Sequence, residues 1–239
     1  MGRIFEKRKE RMFARWSKNA KAFTKVGKEI AIAVKLGGPS PVGNPRLRMA
    51  IQTARALNMP KDKVENAIKR ASSKDEADLV EIVYEGYAQH GVAILVEAAT
   101  NNPTRTVANV RSIFSDYDGA LGTAGSLEYL FLRRGVFTVT KPKGDLEEFE
   151  LELIDHGLED IFEGESENSL IIYASFENFG AMQRALEERK LEVTSASLVR
   201  FPLTTIEISP EHLAEIEKMI AELEDDDDVQ HVCHNLKLD

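Results

Sequence analysis

Cysteine is almost absent: Cys233 stands alone in a chain of 239 residues. No intrachain disulfide can form, which excludes the disulfide-stapled secreted scaffolds and fits a reducing compartment, most simply the cytoplasm. Long apolar runs are missing too. Nothing approaches the roughly 18 residues that a bilayer span requires, so no membrane partner is expected. The opening "MGRIFEKRKERMF" has no apolar stretch of the secretory type, and Glu6 and Glu10 argue against a transit peptide.

Catalytic signatures are equally scarce. There is no Walker loop, no G-x-S-x-G and no H-E-x-x-H. His90, His156 and His212 have no evident nucleophile partner. In "HVCH", His231 and Cys233 share one face of a strand and His234 takes the other, without zinc-ligand spacing. The glycines of "DGALGTAGS" have the wrong spacing for a dinucleotide fingerprint and read as a turn. The run Glu224–Asp228 follows a helix and reads as a solvated boundary, since adjacent carboxylates without a motif are weak evidence for Mg²⁺. The expectation is a protein that is not an enzyme, with no catalytic residue, metal, cofactor or small-molecule substrate; a hydrolase or other enzyme is kept as the remote alternative.

Positive charge is scarce overall and concentrated where it occurs. The formal net charge is -9, yet residues 1–74 hold 19 Lys and Arg against 5 Asp and Glu. Residues 75–239 hold 12 against 35. Such separation points to nucleic-acid contact by the basic part, with an acidic partner or the chain's own acidic part as the rival.

The basic part reads as helices. Phe23, Val26, Ile30, Ala33 and Val34 form one apolar stripe, and Lys18, Lys21, Lys25, Lys28 and Lys35 lie near the opposite face. Gly37-Gly38-Pro39 ends this helix. Leu47, Ala50, Ile51, Ala54 and Leu57 mark a second helix. "NMPKD" breaks the chain, with Asn58 or Met59 at the cap and Pro60 in the first turn of a third helix. Val64, Ala67, Ile68 and Ala71 are its buried stripe. Arg46, Arg48, Arg55, Lys61, Lys63, Lys69 and Arg70 are left for water or a partner. The short link permits a helix-turn-helix, but antiparallel helical hairpins share it. In the arm before these helices, Phe5, Phe13 and Trp16 alternate with basic residues. They serve either to stack on bases or, the favoured reading, to anchor the arm.

Beyond "SSKDEAD" the pattern becomes mixed. Two strands flank a turn at Gln89-His90-Gly91, and a helix follows with Arg105 and Arg111 as either phosphate contacts or plain surface charges. Strand, helix, two strands, helix and strand come next, with Asn178 as a helix cap. A final strand-helix-strand runs from "TTIEIS" through "VQHVCHN". The fold class is therefore α+β and multidomain, with two βαββαβ (ferredoxin-like) modules conceivable.

Several ordered motifs carry a resemblance: "FTKVGKEI", "NPRLRMAI", "NMPKDKVENAIKR", "YEGYAQHGVAILVE", "TNNPTRTVANVR", "GALGTAGS" and "EDDDDVQHVCHN". From about Phe23 onward the chain resembles the YebC/PmpR family, which includes mitochondrial translational activators. The resemblance implies a helical domain over 1–76, a discontinuous α+β domain over 77–135 with 204–239, and an inserted α+β domain over 136–203. It implies a DNA-binding transcription regulator, or a ribosome-associated factor that contacts ribosomal RNA and aids elongation at difficult sequences. It supplies no catalytic residues. The opening lacks the family's common Gly-His-Ser-Lys-Trp, and Cys233 stands where a Tyr is usual.

Overall fold

The computed structural model describes residues 2–73, 79–164, 166 and 168–237, with side chains from Ala20 onward. Lys18, the arm's aromatics and the expected boundary at 76/77 lie outside what is described. The chain forms two compact units, Met1–Ala124 with Glu207–His234, and Gly125–Ile206 with Asn235–Asp239. The fold is α+β throughout, with two four-stranded antiparallel sheets.

The first unit opens with three helices, α1 (Gly2–Gly37), α2 (Pro45–Ala56) and α3 (Lys61–Ala71). The arm is thus continuous with α1. Gly38 takes a left-handed φ of 83° and donates its N–H to the Val34 carbonyl at 2.8 Å, closing the helix as its sequence predicts. Asn44 caps α2: its side-chain oxygen accepts from the Leu47 N–H at 3.0 Å. Its amide donates to the carbonyls of Ala33 at 2.6 Å and Gly38 at 2.9 Å. One buried side chain therefore starts one helix and fixes the end of another. Val26, Ile30, Ala33, Val34, Leu47, Ala50, Ala54, Val64 and Ala71 form the core of the bundle. Ile51, Ala67 and Ile68 are partly buried against it, and two expected stripe members, Phe23 and Leu57, belong to neither set. Phe23 is only half-buried, and Leu57 is exposed at the end of α2. The third helix also starts differently from expectation. Pro60 is its N-cap without a side-chain cap bond, and Asn58 sits before it at φ 55°.

The sheet of this unit contains β1 (Val80–Tyr87), β2 (Ala93–Thr100), β3 (Ala120–Leu121) and β8 (Val229–His234), in the order β3-β1-β2-β8. Helices α4 (Pro103–Asp116) and α7 (Pro210–Asp225) accompany it. Ile94, Leu95 and Val96 on β2 are fully buried. His90 supplies the left-handed corner of the hairpin at φ 61°. The chain order is ββαβ with a distant αβ, so this sheet departs from the βαββαβ succession that the sequence pattern allowed. Gly86 lets β1 lie against β3 and α4: a Cβ there would stand 2.6 Å from both the Ala120 carbonyl oxygen and Phe114 Cε1. Gly86→Ala should therefore lower stability by about 1–3 kcal/mol, the usual range for overpacking. Urea unfolding of the two proteins measures it, and equal midpoints would refute it.

The second unit holds β4 (Phe131–Thr140), α5 (Leu146–Ile154), β5 (Leu158–Glu163), β6 (Ser169–Ser175), α6 (Phe179–Glu188) and β7 (Val193–Pro202). This is a βαββαβ module with sheet order β5-β6-β4-β7. Phe137, Leu153, Leu170, Ile172, Met182 and Leu186 fill its core. Asn178 occupies the cap position of α6 but makes no capping bond; its amide donates to Ser175 Oγ at 3.0 Å. The "TTIEIS" segment is not a strand. It contributes only one bridge, Ile206 to Leu236.

Candidate nucleic-acid interface

The structure divides the basic residues into two groups. The first is committed inside the protein. On α1, Lys21 forms an ion pair with Asp225, and Lys25 donates to the Glu224 carbonyl at 2.7 Å. Lys28 donates to Asp228 Oδ1 at 2.6 Å, to the Asp227 carbonyl at 2.8 Å and to the Ala99 carbonyl at 3.0 Å. The acidic run is not a solvated boundary: it grips three of the five lysines expected on the α1 contact face. Their spacing explains the grip, because residues 21, 25 and 28 project from one side of the helix. Burial lowers the Lys25 ammonium below its ordinary value, although the carboxylates of Glu224 to Asp227 pull the other way.

Asp228 is the hub of this contact. It is 5% exposed and accepts from Lys28, from Arg105 Nη2 at 2.6 Å and from Thr106 Oγ1 at 2.8 Å. Burial alone would raise its carboxyl pKa. The hydrogen bonds from Lys28, Arg105 and Thr106 outweigh burial and hold it at about 2.

Arg46 is also turned inward. Its guanidinium forks across Glu29 of α1, with Nε to Oε1 at 2.7 Å, and Glu81 of β1, with Nη2 to Oε1 at 2.5 Å. Burial disfavours its charge, yet the bonds to Glu81 and Glu29 raise its pKa overall. Arg48 donates to the carbonyls of Pro41 at 2.8 Å and Val42 at 2.9 Å, holding the loop before α2. The sequence gives no sign of these roles, because a lysine or arginine suits a carboxylate as well as a phosphate.

The second group faces solvent: Lys35 at the end of α1, Arg55 in the last turn of α2, and Lys61, Lys63, Lys69 and Arg70 along α3. Arg111 is exposed on α4. The Lys61 ammonium lies 3.5 Å from Glu65 in an exposed i,i+4 pair, which is too weak to withhold it from a ligand. Lys63 stands over the Phe23 ring, 5.2 Å from its centroid. Among the described residues, no cluster of His, Cys, Asp and Glu could hold a metal, and no helix is long and apolar enough to cross a membrane.

With this arrangement in view, the chain compares closely with known proteins. The model for the TACO1/YebC N-terminal domain matches residues 3–74, and that for the TACO1/YebC second and third domain matches residues 79–236. The chain belongs to the TACO1/YebC family. The family match takes in the atypical arm as well as the later motifs. A probable transcriptional regulatory protein of Flavobacterium johnsoniae is 52% identical over 237 residues, covering 99% of both chains. One from Anaeromyxobacter dehalogenans is 54% identical over 239 residues, covering 99% of this chain and all of its own. Among solved structures, a conserved hypothetical protein of Aquifex aeolicus superposes with a TM-score of 0.76 at 37% identity, covering 91% of this chain and 90% of its own.

Proposed function

We propose that this TACO1/YebC protein is a cytoplasmic nucleic-acid-binding regulator of gene expression. The observation that carries the reading is the set of exposed cations on α3, Lys61, Lys63, Lys69 and Arg70, with Arg55 exposed on α2. In an acidic protein such a surface suits a polyanion, and phosphate neutralisation supplies most of the affinity. The protein is not an enzyme in this reading; its relatives carry a regulatory name.

That name, probable transcriptional regulatory protein, supports duplex DNA as the polyanion and a role in transcription. A second reading is translation regulation through ribosomal RNA. It is favoured by the side of α3 that carries Lys63 and Arg70, which lines a groove beside α1. A recognition helix for duplex DNA instead enters the major groove.

Two measurements test the proposal. Purified protein should bind duplex DNA or RNA at low salt, with affinity falling steeply between about 50 and 200 mM salt. Absence of binding to either polymer would overturn the nucleic-acid reading. Sucrose-gradient sedimentation of lysate then chooses between its forms. Co-migration with ribosomal particles after DNase treatment selects ribosomal RNA, and absence from every ribosomal fraction at low salt selects DNA.

A further inference from the structure

A groove of about 980 Å³ runs between α1 and α3 and reaches Leu79 and Asn101 at the sheet. Among the described residues that line it there is no Asp or Glu. Its cations are Lys28, Lys35, Lys63 and Arg70, contributed by both helices. Its remaining wall is apolar or neutral: Phe23 and Met59 offer flat or adaptable apolar surface, and Asn66 and Asn101 offer amide donors and acceptors.

We infer that this groove seats an unpaired RNA strand. The inference deepens the nucleic-acid reading above and rests on it. Lys28 is already held by Asp228, but Lys35, Lys63 and Arg70 bring positive charge to the cleft and attract a polyanion, and no carboxylate among the described lining residues opposes it. A volume near the top of the range for small-molecule sites, about 300–1,000 Å³, takes a few nucleotides. A concave site with an aromatic wall suits bases that are splayed out, whereas a duplex keeps its bases stacked inside. Phosphates lie toward Lys35, Lys63 and Arg70, and a base lies against Phe23 and Met59. The amides of Asn66 and Asn101 face base edges.

Gly27 lines the groove. It sits in the interior of α1, where glycine is a poor helix former, and among the described residues a Cβ built on it meets nothing within 4 Å. The missing side chain is therefore not demanded by packing within the protein; its position leaves room for a ligand.

This gives a variant that blocks the groove without touching a charge. Gly27→Leu should keep the helical circular dichroism of the wild type. Its affinity for a single-stranded RNA of about 12 nucleotides, read by fluorescence anisotropy, should fall about tenfold or more. Lys63→Gln should lower the same affinity and reduce the salt slope by about one contact, roughly 0.7. Lys61→Glu with Arg55→Glu alters exposed charge outside the groove and separates the two ideas. If Gly27→Leu and Lys63→Gln bind the RNA within twofold of wild type while Lys61→Glu with Arg55→Glu binds poorly, the groove is refuted and the nucleic-acid reading stands. If the wild type binds no nucleic acid, both fall. Equal loss of duplex and single-stranded binding in Gly27→Leu would also refute a seat for an unpaired strand, and single-stranded DNA of the same sequence bound as tightly as RNA would refute selection of RNA.

Discussion

Replacing Asp228 by Ala should destabilise the protein by about 3–5 kcal/mol, the cost of breaking a buried ion pair from one side. The carboxylate accepts hydrogen bonds from Lys28, Arg105, Thr100 and Thr106. Truncation strands the Lys28 ammonium, whose other acceptors are the carbonyls of Ala99 and Asp227. The pH dependence distinguishes this hub from a simple packing defect. The Asp228 pKa is about 2 in the folded protein, against an ordinary value of 3.8. The unfolded chain therefore takes up a proton first as pH falls. The contribution of Asp228 is complete well above pH 3.8, declines below it and is lost below about pH 2. Urea unfolding at neutral pH gives the first effect. Asp228→Asn, compared with wild type at pH 7 and near pH 2, gives the second: the difference between them should shrink in acid. A loss under 1 kcal/mol at neutral pH, or a difference independent of pH, would contradict the role assigned to this carboxylate.

Reversing Lys61, Lys63 and Lys69 together to Glu should produce the largest change in binding. Each lost phosphate contact removes about 0.7–0.9 from the slope of log affinity against log salt, so the triple variant should lose roughly two units and bind at least 100-fold more weakly at low salt. Stability should change little, because all three side chains are exposed and the ion pair of Lys61 with Glu65 is a surface pair. Anisotropy titrations at several salt concentrations provide the measurement. Unchanged affinity and slope would move the contact off α3. The comparison variant is Arg46→Gln, which should act on stability: its guanidinium joins Glu29 to Glu81.

The two groups of cations explain what the sequence reveals and what it hides. The apolar stripes Leu47–Ala54 and Val64–Ala71 are legible because helical periodicity states which side is buried. The Gly38 terminus and the hairpin corner at His90 are legible through local backbone preference. The role of Lys28 is not. Its partner lies 200 positions away, and nothing in the local pattern distinguishes a lysine awaiting phosphate from one satisfied by Asp228. The same holds for Arg46 with Glu81, 35 positions apart. Phe23 is hidden in the opposite sense: helical spacing counts it with Val26 and Ile30, but the structure leaves it at the groove wall. The "TTIEIS" alternation fails for a related reason, since a strand pattern needs an available neighbour along its length and here finds only the bridge at Leu236.

The position of β8 in the first sheet has a consequence for synthesis. β2 is almost wholly buried, and one of its two neighbours, β8, is made 129 residues after Thr100. At about 5–20 residues per second, the ribosome takes roughly 6–26 s to supply that neighbour. During this interval the βαββαβ module is produced in full, with all its strand partners inside the module. The nascent chain therefore carries one sheet able to close early beside another whose apolar strand keeps an open edge until the final strand arrives, and it is in that interval that the protein is most exposed to wrong pairing.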